Sequence, residues 1–299
     1  MAFDFYFAGS TRPEYRELIT KLNANVLKSY VNDQNEFKLW FQYKRDGWKG
    51  KLLIDNGAFT IYRKGGTLDI DEYIKWLNKY DEYIDYAVAL DDIPGKWLEG
   101  HTAQQVKESV QKTWDNYLYM RKHCKSPQKL LPVFHMGENF DYLKKYLELD
   151  DLEYMCISAR KDITNKQRED WYEKCFYIIS HSQHKNIKVH CLGSATLSNA
   201  EKFPFTSMDA TSWIMSGANG SIQTDYGVMY VGDHCHTLRQ TLPEKAVNDL
   251  EQYCSQFGMT LDEVGDDYRA RICFNIHYLF DKSKSTSYNN IGFRKRRLF

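Results

Sequence analysis

Polar residues follow short apolar runs at five points along the chain, where a strand would end and a loop would begin. An apolar strand needs no charged or hydrogen-bonding terminus of its own, so these residues are the first candidates for chemistry. The candidates are Asp55 after Leu52–Ile54, Asp91 with Asp92 after Ala87–Leu90, His135 after Leu131–Phe134, Gly193 with Ser194 after Val189–Leu192, and Asp209 after Phe205–Met208.

Three aspartates that converge on one site suit chemistry at a glycosidic carbon. A single aspartate after a strand is usually a turn or capping residue, and a single histidine there is more often a core residue. Several carboxylates buried together are costly unless they are used. In such a group one carboxylate attacks the anomeric centre and another moves a proton to or from the leaving group. Neighbouring negative charge raises the pKa of one member, which then acts as an acid near neutral pH.

The elements that must position these residues are short β-rich runs alternating with longer helical stretches. Eight such runs occur, with a helix predicted over Pro13–Lys28 and the last strand over Gly227–Val231. The rhythm predicts an α/β fold, a (β/α)8 TIM barrel with C-terminal helices, although a doubly wound open sheet would give a similar pattern. We expect one barrel domain over residues 1–281, including the C-terminal helices, and a basic, flexible tail over residues 282–299.

The composition limits the partners. The chain has 299 residues, enough for one large domain, and its 40 basic residues balance 40 acidic ones. No net charge therefore draws it to a polyanion, and contact with nucleic acid must come from a local patch such as the basic tail. No apolar run approaches the roughly 20 residues of a membrane span. The amino terminus lacks the features of a signal peptide, and seven cysteines without tight pairing suggest a reducing compartment. We expect a cytoplasmic protein without membrane contact.

Six segments between residues 52 and 220 resemble, in the same order, the motifs of the tRNA-guanine transglycosylase superfamily. The family motifs are D-S-G-G-F-Q, F-D-E, V-Q-G-G, Y-A-I-G-G-L, M-G-V-G-T, and a nucleophilic aspartate followed eleven residues later by the glycine of an N-G pair. The matching segments are Asp55-Asn56-Gly57-Ala58-Phe59-Thr60, Leu90-Asp91-Asp92, Phe134-His135-Met136-Gly137, Tyr154-Met155-Cys156-Ile157-Ser158-Ala159, Cys191-Leu192-Gly193-Ser194-Ala195-Thr196, and Asp209 with Asn219-Gly220.

The resemblance implies base exchange and assigns a role to each aspartate. Asp209 would attack C1′ of a nucleotide and release guanine, while Asp55 would shuttle protons to and from the bases. Asp91 would hydrogen-bond the purine edge, and His135, in place of the family glutamine, would contact the base as well. A 7-deazaguanine would then attack the covalent intermediate and restore the original configuration. This chemistry needs no cofactor.

The resemblance also implies a wider substrate-binding set. The backbone of Ser158 and Ala159 would replace the double glycine of the family. Phe59 and Trp213 are expected to fill or cap the space left by a guanine flipped out of a duplex. For Trp213, core packing is an equal alternative. The remaining members of this set are Asp92, Gly137, Gly193 and Ser194.

The chain departs from the family pattern at two places. Met215 and Ala218 occupy the positions of two arginines that hold the tRNA backbone in the family. The zinc motif of the family aligns with Asp249, Glu251, Cys254 and His277, so that carboxylates replace two of the thiolates. A structural zinc site needs four good ligands. Only Cys254 and His277 therefore remain as candidate metal ligands.

These departures favour a shorter branch of the superfamily, common in bacteriophages, which inserts 7-deazaguanines such as 7-cyano-7-deazaguanine into DNA. The expected partners are DNA and the free base, in the host cytoplasm if the protein is phage-encoded, and a homodimer is compatible with the family. Three alternatives stay open: a divergent tRNA-guanine transglycosylase, an N-glycosidase or other hydrolase, and a non-catalytic partner subunit. The segment Asp233–His236 is rich in metal-ligand residue types and receives no role.

Overall fold

The computed structural model describes residues 3–9, 12–95, 99–160, 162–193, 196–232 and 243–286. Nine parallel strands form one sheet, and two further strands form an antiparallel hairpin. The sheet strands are β1 (Asp4–Ala8), β2 (Asn25–Ser29), β3 (Leu52–Asp55), β4 (Tyr86–Val88), β5 (Leu130–Leu131), β6 (Val133–His135), β7 (Tyr154–Ser158), β8 (Lys188–Cys191) and β9 (Ser207–Ala210). The hairpin strands are β10 (Ser221–Thr224) and β11 (Gly227–Tyr230).

Helices follow the strands around the outside of the sheet. Several begin with a capping residue: the Thr102 and Thr164 side chains each close a capping box with a glutamine three residues later. The helices are α1 (Pro13–Lys21), α2 (Phe37–Arg45), α3 (Ala58–Lys64), α4 (Ile70–Lys79), α5 (Ala103–His123), α6 (Phe140–Leu147), α7 (Asn165–Ser180), α8 (Leu197–Lys202), α9 (Ser212–Ala218), α10 (Glu244–Ser255), α11 (Leu261–Asp266) and α12 (Tyr268–Ser285). No helix in these ranges is long and apolar enough to cross a membrane.

The sheet is a (β/α)8 barrel that is interrupted at one proline. Its strand order is β5-β4-β3-β2-β1-β9-β8-β7-β6. Strands β5 and β6 are separated only by Pro132, which has no N–H to donate to a ladder. The carbonyl of Pro132 still accepts a hydrogen bond from Cys156 N at 2.8 Å, and that of Leu131 accepts one from Ala89 N at 2.9 Å. The two segments therefore act as one strand that joins β4 to β7, which gives eight strand positions.

Side chains alternate between the barrel interior and the helices, as the two-residue period of a strand requires. In β1, Phe5 and Phe7 belong to the core beneath the helices, whereas Tyr6 and Ala8 belong to a separate cluster inside the barrel. The same alternation directs Asp55 of β3 and Asp209 of β9 inward. Both lie near the carboxyl ends of their strands, where the loops form the mouth of the barrel.

The C-terminal helix α12 packs against α9, the helix that follows the last barrel strand. Buried Arg271 donates to the carbonyl of Gly217 at 2.9 Å, and Asn275 donates to the carbonyl of Trp213 at 3.1 Å. Asn275 also accepts from Gln223 N at 2.8 Å, which ties the hairpin to the same helix. Because buried polar groups need partners, these bonds fix the position of α12 on the barrel.

Three expectations about the elements are wrong: the end of one predicted helix, the place of one predicted strand, and the start of the predicted tail. The helix predicted over residues 13–28 ends at Lys21, because Asn23 adopts a left-handed conformation (φ 51°) and residues 25–29 form β2. Lys28 obscured this strand, since its buried ammonium faces the helices and pairs with Glu36 at 2.8 Å. The segment predicted as the last barrel strand pairs antiparallel with β10 instead. The number of eight strands was correct, but one member was missed and another was misplaced.

The predicted boundary of the tail at residue 282 also falls inside a helix. Helix α12 continues to Ser285, and Ser283 is buried, with its carbonyl accepting from Phe3 N at 3.1 Å. Lys282 pairs with Asp225 of the hairpin. Because this segment is polar, its sequence did not indicate that the last turn of α12 packs on the barrel. The rest of the predicted tail, from residue 287, lies outside the described residues.

Candidate functional site

Asp55 is the last residue of β3 and is held by the turn that follows it. Gly57 adopts φ +83°, and a Cβ at this position would lie 2.7 Å from Val31, so only glycine fits. The N–H of Gly57 donates to Asp55 Oδ2 at 3.1 Å. Burial, together with the negative charges of Asp91 and Asp209, raises the pKa of Asp55 to about 7. Asp55 can therefore both donate and accept a proton near neutral pH.

Asn56 joins the ends of β3 and β4. Its buried amide donates to the carbonyl of Ala89 at 2.7 Å and to Asp91 Oδ1 at 2.8 Å, while its side-chain oxygen accepts from Ala58 N at 2.7 Å. Sequence reasoning assigned no role to Asn56, although this residue follows Asp55 directly in the chain. Its role is to fix Asp91 relative to the turn that carries Asp55.

Asp91 lies in an ion-paired cluster with His135 and Glu138. His135 Nε2 is 2.8 Å from Asp91 Oδ2, and His135 Nδ1 is 2.9 Å from Glu138 Oε1. Burial opposes the charge of His135, but the hydrogen bonds to Asp91 and Glu138 outweigh it and raise the His135 pKa to about 10. Burial likewise opposes the charge of Asp91, and the bond to cationic His135 holds the Asp91 pKa below its usual value. The cluster therefore presents an ionised Asp91.

This cluster corrects the predicted role of His135. Both of its ring nitrogens bond carboxylates, so the side chain positions Asp91 and has no ring N–H left for a base. Glu138 was missed, although it lies three residues after His135 in the turn that follows β6. A carboxylate at this spacing from a strand-end histidine is the signal that would have identified it.

Asp92, a predicted substrate contact, forms bonds with helix α5. Its carboxylate pairs with Lys112 of α5 at 2.5 Å, and its carbonyl accepts from Ser109 of the same helix at 2.6 Å. Its N–H donates to Thr113 at 2.9 Å. These bonds bind Asp92 to α5, so its contacts tie the β4 loop to that helix rather than to the other strand-end aspartates.

Asp209 ends a buried hydrogen-bond chain inside the barrel. Asp209 Oδ1 is 3.2 Å from His190 Nε2 and accepts from Gly193 N at 2.6 Å. His190 Nδ1 bonds the Ser207 hydroxyl, which in turn bonds the Tyr154 hydroxyl. His190 and Ser207 are fully buried. The predicted residue Gly193 thus contacts Asp209 through its backbone, and His190, which sequence reasoning passed over as part of an apolar strand, is its side-chain partner.

The three predicted aspartates come together at one mouth. The charges of Asp91 and Asp209 both act on Asp55. Burial inside the barrel raises the pKa of Cys156, and the charges of all three aspartates raise it further. Few natural sites hold three carboxylates in one place without a cation or a reaction to use them. Of the described residues, no group of three or more His, Cys, Asp or Glu has an arrangement that could hold a metal ion.

The remaining predicted substrate contacts are distributed around the mouth. Ser158 ends β7 beside His135, and Ala159 follows it with its side chain buried. Gly137 adopts φ +108° in the turn that follows β6, where a Cβ would meet open space. Phe59 is half exposed on α3, four residues after Asp55. Ser194 and the Asp233–His236 segment lie outside the described residues.

Trp213 is a core residue, and its predicted contact with a base is wrong. Its side chain is completely buried, and Nε1 donates to the carbonyl of Ala8 at 3.1 Å. Phe7 and Tyr15 pack edge-on against the indole, with ring centroids 5.6 and 6.0 Å away. The indole has no face available to a ligand. It anchors α9 to β1 instead.

The residues aligned with the zinc motif have other contacts in the structure. Cys254 is fully buried in an apolar cluster, and burial raises its pKa to about 11. The ring of His277 stacks on Phe257 with centroids 3.7 Å apart. Asp249 accepts a hydrogen bond from Tyr226 at 2.6 Å. A structural zinc on Cys254 and His277 stays a prediction.

A cavity of about 850 Å³ opens beside Asp91, between α3 and α5. Its volume is in the range of cavities that hold small organic ligands. Basic, acidic and aromatic groups all line it, among them Tyr62, Arg63, Asp91, Asp92, Lys112 and Asn116. The cavity is large enough for a nucleotide, and of Asp55, Asp91 and Asp209 only Asp91 lines it.

The arrangement combines one carboxyl that titrates near neutral pH, one ionised carboxylate, and one carboxylate fixed by donors from His190 and Gly193. These are the components of covalent glycosyl transfer with proton shuttling. The chain matches no protein-family model and no curated protein sequence, so its resemblance to the transglycosylases rests on the ordered sequence motifs alone and stays a prediction.

Proposed function

We propose that this protein is a base-exchange transglycosylase that replaces guanine in DNA with a 7-deazaguanine through a covalent intermediate on Asp209. One observation carries the proposal: Asp209, hydrogen-bonded on one oxygen, shares the mouth of the barrel with Asp55, whose pKa is about 7. A nucleophile and a proton shuttle are the two groups that the reaction needs.

The reaction balances with these two groups. An Asp209 oxygen attacks C1′, the C1′–N9 bond breaks, and its electron pair leaves with the guanine. Protonated Asp55 gives its proton to the departing base, which leaves neutral. The incoming 7-deazaguanine returns a proton from N9 to Asp55 and attacks C1′ with N9, which displaces Asp209. Two inversions at C1′ retain the configuration of the nucleoside.

Asp91 supports guanine as the leaving base. Because His135 and Asn56 hold it as an ionised acceptor, it favours a partner edge with two donors. Guanine and 7-deazaguanines both present N1–H and an exocyclic amino group. Adenine presents an acceptor at N1, which would face the carboxylate repulsively. A polar group left unpaired in this way discriminates strongly between bases.

Two features favour DNA over tRNA. The positions of the tRNA-holding arginines of the family carry Met215 and Ala218, and Met215 is 58% exposed without a charge to offer a phosphate. A base in a duplex must be extruded before it reaches a buried aspartate, and the cavity beside Asp91 offers space for it. Half-exposed Phe59 is suited to stacking on the neighbouring base.

The test uses purified protein, double-stranded DNA labelled in guanine, and 7-cyano-7-deazaguanine, with tRNA in a parallel reaction. We expect guanine release and the new nucleoside in digested DNA, both lost in Asp209→Asn. Base exchange in tRNA alone would show that the substrate is tRNA and not DNA. Guanine release without incorporation would identify a hydrolase, and the absence of both reactions would refute the proposal.

A further inference from the structure

Three hydrogen bonds link Tyr154, Ser207, His190 and Asp209 in a buried chain. The chemistry of these side chains determines which group donates in each bond. A carboxylate can only accept, so His190 must present Nε2–H to Asp209 Oδ1 across the 3.2 Å between them. In a neutral ring Nδ1 is then an acceptor, and the Ser207 hydroxyl donates to it. The Ser207 oxygen is left to accept from the Tyr154 hydroxyl. Each hydroxyl or N–H thus donates toward Asp209, and the chain closes without a mismatched pair.

The surroundings of the chain hold the ring in place. Tyr6 packs edge-on against His190, with centroids 5.7 Å apart and ring planes at 84°. Ser207 is fully buried, and Tyr154 is 5% exposed. Water therefore does not compete for these bonds, and in the alternative tautomer the unprotonated Nε2 would face the Asp209 carboxylate, which leaves two buried acceptors together.

The two donors to Asp209 reach the same oxygen. His190 Nε2 and Gly193 N both bond Oδ1, and among the described residues Oδ2 accepts no hydrogen bond. The carboxylate, whose side chain is 8% exposed, therefore has one oxygen fixed by the protein and one left for a ligand. Orienting donors of this kind hold a nucleophile within the narrow geometry that attack requires.

We propose that His190 is a positioning residue, held as its Nε2–H tautomer between Asp209 on one side and the hydroxyl of Ser207 on the other, and that it directs Asp209 Oδ2 toward the reacting carbon. The catalytic part of this inference rests on the proposed function. The tautomer itself does not, because it can be observed in the resting protein.

Spectroscopy tests the tautomer without any substrate. In protein labelled with ¹⁵N-histidine, the two ring nitrogens of each neutral tautomer give distinct ¹H–¹⁵N correlations, and His190→Gln assigns the His190 signals. We expect the Nε2–H form in the wild type. In Ser207→Ala, Asp209 still accepts from Nε2, so we expect the same tautomer with a shifted Nδ1 resonance, because Nδ1 has lost its donor. An Nδ1–H form or a doubly protonated ring in the wild type, or an unchanged Nδ1 resonance in Ser207→Ala, would overturn the proposal even if the protein exchanges bases as expected.

Kinetics tests the consequence. The glutamine side chain in His190→Gln keeps an amide donor at about the reach of Nε2, whereas His190→Leu removes the donor. We expect His190→Leu to lower kcat on the order of 10²-fold with KM little changed, and His190→Gln to recover most of the loss. Ser207→Ala and Tyr154→Phe should have progressively smaller effects on kcat. Because the leucine variant can fail to fold, Ser207→Ala is the deciding variant: wild-type kcat in Ser207→Ala would refute the positioning role. Absence of exchange in the wild type, with the Nε2–H form observed, would instead refute only the proposed function.

Discussion

Asp91 and Asp209 each accept a hydrogen bond from a histidine, but the two histidines have opposite surroundings. His135 is 26% exposed and lies between two carboxylates, Asp91 and Glu138, which raise its pKa to about 10. His190 is fully buried and has a carboxylate on one side and the hydroxyl of Ser207 on the other. A histidine–aspartate pair therefore bonds a second carboxylate on one side of the mouth and a buried hydroxyl on the other.

The difference suits the two roles proposed for the aspartates. A cation beside Asp91 keeps that carboxylate ionised and stationary, as recognition of a donor edge requires. A full positive charge beside Asp209 would make it a weaker nucleophile, whereas a neutral donor orients it at a smaller cost in reactivity. Between them, Asp55 is paired with neither histidine, and it carries the raised pKa.

The largest effect on base exchange is expected from Asp209, the proposed nucleophile, and a smaller one from Asp91, the proposed base-recognition residue. We expect Asp209→Asn to lower single-turnover base exchange by roughly 10³- to 10⁵-fold, on the order seen when a nucleophilic machinery is disabled. Asp91→Asn loses hydrogen bonds to a charged group and should lose about 10- to 10²-fold, mainly in KM. Denaturing gels should show a protein–DNA adduct with Asp91→Asn and none with Asp209→Asn. Equal losses in the two variants would remove the distinction between them.

The next effect concerns Asp55 and the free energy of unfolding. Its folded pKa of about 7 exceeds the usual value of 3.8, so the folded state holds a proton that the unfolded state has released. Wild-type stability should therefore fall as pH rises from about 4 through 7, and Asp55→Asn should not share this loss. We expect the variant to gain about 1–3 kcal/mol relative to the wild type between pH 5 and pH 8.

Urea unfolding at the two pH values measures this gain. Asp162→Asn, at an exposed carboxylate paired with Arg160, is the control and should show no gain of this kind. A constant difference between Asp55→Asn and the wild type across the range would show that Asp55 titrates normally.

An effect of the same sign and of similar size, at higher pH, is expected from His135. Its folded pKa of about 10 exceeds the usual 6.5, so its stabilising contribution is complete below pH 6.5 and is lost as pH rises through about 10. Between pH 7 and pH 10 the wild type should lose about 1–3 kcal/mol more than His135→Gln, and Glu138→Gln should fall between them. The exposed His123→Gln variant serves as the control. Wild-type behaviour of Glu138→Gln would show that Glu138 does not contribute to the pair.

The smallest effect should come from the rim of the mouth. Phe59 is half exposed on α3, and stacking of an aromatic ring on a base contributes about 1–3 kcal/mol. Phe59→Ala should weaken DNA binding by about 5- to 50-fold without changing the melting temperature. Tyr119→Ala, near the carboxyl end of α5 and so at the opposite end of the barrel, is the matched control. Similar affinities for the two variants would exclude Phe59 from the interface.

Much of the fold followed from local patterns. The alternation of strands and helices, the positions of α5 and α6, and seven of the eight strand positions follow from hydrophobic period and capping residues, which act over a few neighbours. Strand β2 was missed because buried Lys28 breaks the apolar pattern, and β11 was misplaced because β-propensity does not specify a partner strand. Partner choice depends on contacts between residues far apart in the chain.

The site was predictable only in outline. A barrel brings the carboxyl ends of its strands to one mouth, so Asp55, Asp91 and Asp209 could be grouped from sequence alone. Their protonation states could not, because a pKa depends on burial and on neighbours supplied by other strands. His190 was identified only through its distance to Asp209, and only packing against Phe7 of β1 showed that Trp213 is a core residue. Residue type and period determined which groups meet, and the tertiary structure decided which of them carries the proton, which holds a partner in place, and which reaches a ligand.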